Sequence, residues 1–146
     1  MSLNGAYDPD NVFAKILRGD MPAVNVWEDA HVLAIMDVFP QAPGHVLVLP
    51  KTAARNLFDL PADALAHLAR AVQTVAKGVR DGLRPDGVVI TQFNGAPAGQ
   101  TVFHLHFHVI PRREGETVGR HAEGGMADME ELKAQAARIR AAIDAA

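Results

Sequence analysis

The sequence contains no cysteine, which excludes disulfide bridges and thiolate metal sites. It has no uninterrupted apolar stretch of about 18 residues, so no membrane-spanning helix is expected. Residues 1–11 carry neither a basic start nor an apolar run, so a signal peptide is not expected. Basic residues are not in excess: the net charge is −3, which gives no support for a nucleic-acid partner that must meet a phosphate backbone. Neither an internal repeat nor a low-complexity tract is visible. The expectation from these absences is a cytoplasmic domain.

What is present is enough for one domain with a real core. The chain has 146 residues, 49% of them hydrophobic, so disorder is not expected. Asp10 or Asn11 is placed to cap a short helix reaching about residue 18, stopped by Gly19, with Val12, Phe13, Ile16 and Leu17 as its apolar stripe. Residues 24–28 and 32–36 read as strands, and 37–44, with two prolines and a glycine, as a loop. Residues 45–49 form a third strand before Pro50. The longest helix runs from about 61 to 82, with Pro61 at its favourable first position and Leu65, Leu68, Ala69, Val72, Val75, Ala76 and Val79 at helical spacing. Residues 87–93 read as a strand, 94–99 as a loop and 102–110 as the last strand, stopped by Pro111. The stretch 114–125 reads as a loop. Asp128 and Glu131 resemble a capping box for a final helix whose apolar side is Met129, Leu132, Ala136, Ile139 and Ile143. Helices and strands mix without regular alternation, so the class is α+β.

The informative segment is Gln100-Thr101-Val102-Phe103-His104-Leu105-His106-Phe107-His108-Val109-Ile110. In an extended chain His104, His106 and His108 share one face, about 6.6 Å apart at ~3.3 Å per residue. Phe103, Leu105, Phe107 and Val109 take the opposite face and are candidate core. One histidine is ordinarily a surface or satisfied core residue. Three in strict alternation are not readily structural, because charged imidazoles repel and buried ring nitrogens need partners. His67 is expected on the polar side of the long helix, and His31 and His121 near turns in solvent.

Two chemistries suit such a face. One is a metal site of neutral imidazoles. The other is nucleophilic catalysis, one ring attacking while the others orient it and bind charge. The preceding Asn94-Gly95-Ala96-Pro97-Ala98-Gly99-Gln100-Thr101 supplies glycines, amides and a hydroxyl suited to anionic oxygens. Few carboxylates lie nearby in sequence. A phosphate site is therefore favoured over a metal site.

At this point the chain resembles the histidine triad (HIT) superfamily. His104 to Ile110 matches its alternating signature, and the likeness extends to Val12-Phe13-Ala14-Lys15-Ile16, to Met21-Pro22-Ala23 and to Met36-Asp37-Val38-Phe39-Pro40-Gln41-Ala42-Pro43-Gly44-His45. The organisation it implies is a tail at 1–10, a catalytic domain at 11–113, and a loop with a C-terminal helix at 114–146. The implied fold is a five-stranded, mainly antiparallel sheet with one short and one long helix. Family members of this size usually form homodimers through the long helix and an edge strand.

The resemblance also implies roles. His106 is the nucleophile that becomes nucleotidylated, and His108 helps hold the phosphate. His104 and His45 support the catalytic ring. Asn94, Gly99, Gln100 and Thr101 match positions that contact phosphate oxygens or the leaving group. Asp37 matches the carboxylate that takes the ribose hydroxyls. Phe13, Ile16, Val38 and Leu47 match the walls of a base pocket. The implied reaction cleaves at the α-phosphorus of a purine nucleotide derivative, a phosphoramidate in the Hint branch or a dinucleoside polyphosphate in the Fhit type. A binding module with little catalysis is the reading from another class. No metal or organic cofactor is expected. Many bacterial relatives hold a structural zinc with a Cys-x-x-Cys pair and a histidine. The matching positions here are Asn11, Ala14 and Ala53, so that metal is expected to be absent. The tail beyond Arg113 also departs from the Hint branch.

Overall fold

The computed structural model describes residues 3–116 and 125–146. Most of the expected loop at 114–125, and with it His121, lies outside the described residues. Helix α1 is Val12–Leu17, and the Asn11 side chain accepts from the Ala14 amide at its start. Strands β1 (Asn25–Glu28), β2 (Val32–Met36) and β3 (Val46–Pro50) follow. Helix α2 covers Ala62–Leu83, with Pro61 as its N-cap rather than its first helical residue. Strands β4 (Gly87–Thr91) and β5 (Phe107–Arg112) complete one sheet of order β1-β2-β3-β5-β4, antiparallel at every step. Helix α3, Met129–Ala145, begins where expected: the Asp128 side chain accepts from the Glu131 amide. The class is α+β.

The central strands are apolar at every position because both of their faces are covered. On β2 and β3, Val32, Ala34, Met36, Val46 and Val48 join the core beneath α2 and α3. The alternate residues Leu33, Ile35, Leu47 and Leu49 pack with Phe13 of α1 on the other face. The period of two thus divides one strand pair between two cores. Helix α3 covers a core face: Leu132, Ala136 and Ile139 are buried, whereas Met129 is exposed. It approaches α2 closely at Gly78 and Gly82. A Cβ on Gly82 would lie 2.7 Å from the Arg138 carbonyl oxygen, and one on Gly78 2.5 Å from the Ile143 side chain. The expected end of the long helix at residue 82 is therefore a packing glycine inside the helix.

The last strand differs most from expectation. It starts at Phe107, not at 102, and runs through Pro111. Residues 102–104 bend instead, 105 and 106 are irregular, and the Leu105 amide donates to Ala54 O rather than to a neighbouring strand. Proline is tolerated in β5 for a geometric reason. Arg112 accepts from Asp86 N on the β4 side, so alternation turns the Pro111 nitrogen the other way, where pairing with β3 has already ended at Val109. Phe103 does not enter the core. The Arg55 guanidinium lies over its ring, 4.4 Å from the centroid.

Candidate active site

The site is built on the face of the sheet away from α2. Ile35, Leu47, His108 and Thr91 form one cross-strand row through β2, β3, β5 and β4. Residue 108 must therefore share its face with Leu47, while Val109 turns into the helix-side core.

The contacts of each imidazole select one tautomer of its neutral form. The Pro50 carbonyl can only accept, so His104 donates from Nε2 at 2.8 Å. Its Nδ1 then carries the lone pair in the neutral ring and accepts from the Tyr7 hydroxyl at 2.6 Å. Burial pushes His104 below the ordinary histidine pKa, and the Pro50 hydrogen bond offsets only part of this. His106 donates from Nδ1 to the His104 carbonyl at 2.7 Å, which places the lone pair of the neutral ring on Nε2. Phe13 meets the His106 ring edge-on, with centroids 4.8 Å apart.

His45 and His108 form a second chain. The Gln41 amide donates to His45 Nδ1 at 3.1 Å, so a neutral His45 carries its hydrogen on Nε2. From there it donates to His108 Nδ1 at 2.9 Å. A neutral His108 in turn holds its hydrogen on Nε2. The buried Asp37 carboxylate lies 3.6 Å from His45 Nε2, and its other oxygen accepts from the Phe39 amide. The His106 and His108 rings are 5.0 Å apart. The four imidazoles thus form two oriented pairs, with His106 offering an acceptor and His108 a donor.

A cavity of about 260 Å³ opens beside His106 and His108. Of the expected walls and ligands, Phe13, Ile16, Asp37, Val38, Leu47 and Thr101 all line it. Its surface is mostly apolar, with Asp37, Thr101 and the two imidazoles as the polar groups. This combination suits a flat apolar ring system joined to a polar, charged end.

Asn94, Gly99 and Gln100 stand apart from that lining. The buried Gln100 side chain accepts from Gly95 N and donates to Arg55 O and Val102 O. Asn94 Oδ1 accepts from Leu57 N and from the Gln92 side chain. Gly99 adopts φ 110° over the Phe93 ring, a conformation open to glycine. The three brace the turn before the triad. Sequence reasoning missed Tyr7, Arg55 and Phe93, whose ring packs 5.4 Å from that of His108. Tyr7 is 97 residues from its partner, and no local pattern marks such a pair. His31 and His67 stack with centroids 3.8 Å apart, away from this cavity's lining.

Among the described residues, Asp37, His45 and His108 could hold a metal ion, with donor atoms within 4.8 Å of one another. Two imidazoles and a carboxylate are a zinc-compatible set. An ion there would displace the hydrogen that His45 shares with His108.

The sequence pattern described as the HIT domain matches residues 18–115. A Hit-like protein from Bartonella henselae, described as involved in cell-cycle regulation and crystallised with an unknown ligand, is 47% identical. That structure covers 94% of this chain and 99% of its own, with a TM-score of 0.87. A zinc-bound histidine triad family protein from Mycobacterium smegmatis is 37% identical over 93% of this chain and 94% of its own, with a TM-score of 0.82. The adenylylsulfatase HINT3 of Arabidopsis thaliana is 34% identical over 119 residues, which are 77% of this chain and 60% of that protein.

Proposed function

The chain belongs to the histidine triad (HIT) family, which includes nucleotide hydrolases and transferases, and on that premise we propose that it cleaves purine nucleotide derivatives at the α-phosphorus through a nucleotidyl-histidine on His106. One observation carries this reading. The Nδ1 hydrogen of His106 is committed to the His104 carbonyl at 2.7 Å, so the nucleophilic lone pair sits on Nε2 beside an apolar-walled cavity.

The proposed steps follow from the tautomers. The base lies among Phe13, Ile16, Val38 and Leu47, and Asp37 accepts from the ribose hydroxyls. His106 Nε2 attacks phosphorus as the bond to the leaving group breaks, and the leaving group departs with that electron pair. His108, with its hydrogen on Nε2, donates to a phosphate oxygen. Thr101 hydrogen-bonds to the departing amine, which takes up a proton from solvent, and the water that attacks in the second step returns one. Water then attacks the same phosphorus, the P–N bond to His106 breaks, and the monophosphate leaves. Asn94, Gly99 and Gln100 act by shaping the loop that carries Thr101. The proposed reaction uses no metal.

The favoured leaving group is an amine, as in an adenosine 5′-phosphoramidate. HINT3 is named an adenylylsulfatase, and an adenylyl sulfate likewise carries its leaving group on an adenylyl phosphorus. Turnover of an adenylyl amide, adenylylsulfate and a diadenosine polyphosphate should therefore be compared directly, with and without chelator. Fastest turnover of the amide, insensitive to chelator, is expected. Preference for the polyphosphate would move the chain to the Fhit type, and restoration by metal after chelation would overturn the metal-free mechanism.

The proposal includes a homodimer and a cytoplasmic location. The exposed Val89 and Ile90 on edge strand β4 support the former. No helix among the described residues is long and apolar enough to cross a membrane.

A further inference from the structure

Residues 3–10 do not hang free of the domain. The Leu3 carbonyl accepts from the buried Asn56 side chain at 2.7 Å, and the Ala6 carbonyl accepts from Arg55 at 3.4 Å. Between them and α1, the Tyr7 ring meets the His104 ring edge-on, with centroids 5.7 Å apart, and its hydroxyl reaches Nδ1. His104 is 0% exposed, so an acceptor nitrogen there has no access to water. Tyr7 supplies the hydrogen bond that burial would otherwise cost.

Both nitrogens of His104 are thereby engaged, one by Pro50 and one by Tyr7, and the ring cannot rotate about its χ2 bond without losing both bonds. The same residue's carbonyl is the acceptor that holds the Nδ1 hydrogen of His106. Resting on the functional reading above, we propose that Tyr7 is a positioning residue of the reaction, fixing His104 so that its carbonyl keeps His106 in the nucleophilic tautomer. The N-terminal arm is then part of the active site, and its two backbone anchors hold the phenol in place.

Tyr7→Phe isolates the hydroxyl, because the phenyl ring retains the edge contact. Imidazole nitrogen NMR of the full chain is the first readout. Wild type should show His104 protonated on Nε2 and His106 on Nδ1. In Tyr7→Phe the His104 Nδ1 resonance should move to that of an acceptor lacking a donor, and the His106 Nδ1 hydrogen should exchange faster with water. On the adenylyl amide, loss of one such bond should lower kcat roughly three- to tenfold and leave KM within about twofold. Tyr7→Ala should lower kcat at least as far.

Unchanged His104 and His106 resonances in Tyr7→Phe would overturn the proposal. So would shifted resonances with unchanged kcat, or a change confined to KM, since either makes the bond structural only. A wild-type chain with no turnover would overturn the functional reading instead, and the His104 and His106 spectra alone would then decide the linkage.

Discussion

Leu47 and His108 are register partners across β3 and β5, so an apolar wall of the cavity and one of the triad imidazoles rise from the same side of the sheet. The loop that leaves β2 closes the space from the third side. It carries Asp37 and Val38 into the cavity and uses the Gln41 amide to orient His45. On the proposed reading, the two ends of a nucleotide, apolar base and charged phosphate, would meet their complements in this one cavity.

Asp37 should decide sugar recognition. Asp37→Asn is expected to raise KM for a ribonucleotide substrate by roughly tenfold or more, the size of a charge-assisted hydrogen-bond pair. The corresponding 2′-deoxyribonucleotide should lose less. Equal losses on the two sugars would remove the ribose role.

His104 should make stability fall in mild acid. Burial lowers its folded-state pKa, while the unfolded chain keeps the ordinary value near 6.5. The unfolded chain therefore takes up a proton first, and stability rises with pH across this window. The contribution is fully present above about pH 6.5 and is lost as pH falls from there toward the lower folded-state value. Melting temperatures across this range should show the slope in wild type and a shallower one in His104→Gln. Equal slopes would assign the effect to other groups.

The close approach of α3 to α2 should depend on Gly82. Adding a methyl group there drives it against the Arg138 carbonyl, so Gly82→Ala should cost about 1–3 kcal/mol in urea unfolding. Gly87→Ala is the matched control, because a Cβ at Gly87 meets nothing within 4 Å. The packing account fails if both variants unfold at the same midpoint.

Much of this was legible in the sequence because local patterns produced it. The Asn11 and Asp128 caps, the short apolar runs of β2 and β3 and the His104–His106–His108 spacing all report on neighbours within a few residues. What escaped depends on residues far apart in the chain. Tyr7 acquires its role only when the arm crosses to residue 104. Gly82 reads as a helix stop until α3 is seen lying against it. Residues 102–106 read as the start of the last strand, yet 102–104 bend and the Leu105 amide donates to Ala54 O instead of to a neighbouring strand. Phe103 follows that bend to the Arg55 side chain instead of the core. Asn94 and Gln100 are polar residues beside a phosphate-like motif, and only the fold reveals that their side chains also tie the loop to Leu57 and Arg55, far away in the chain.

The most direct test of the account is the intact mass of the protein after brief mixing with an adenylyl amide, for wild type and His106→Ala. The account predicts an adenylylated species in wild type, carried on His106, with no such species and loss of turnover in the variant. Release of AMP at equal rates by both proteins, with no adduct in either, would contradict it.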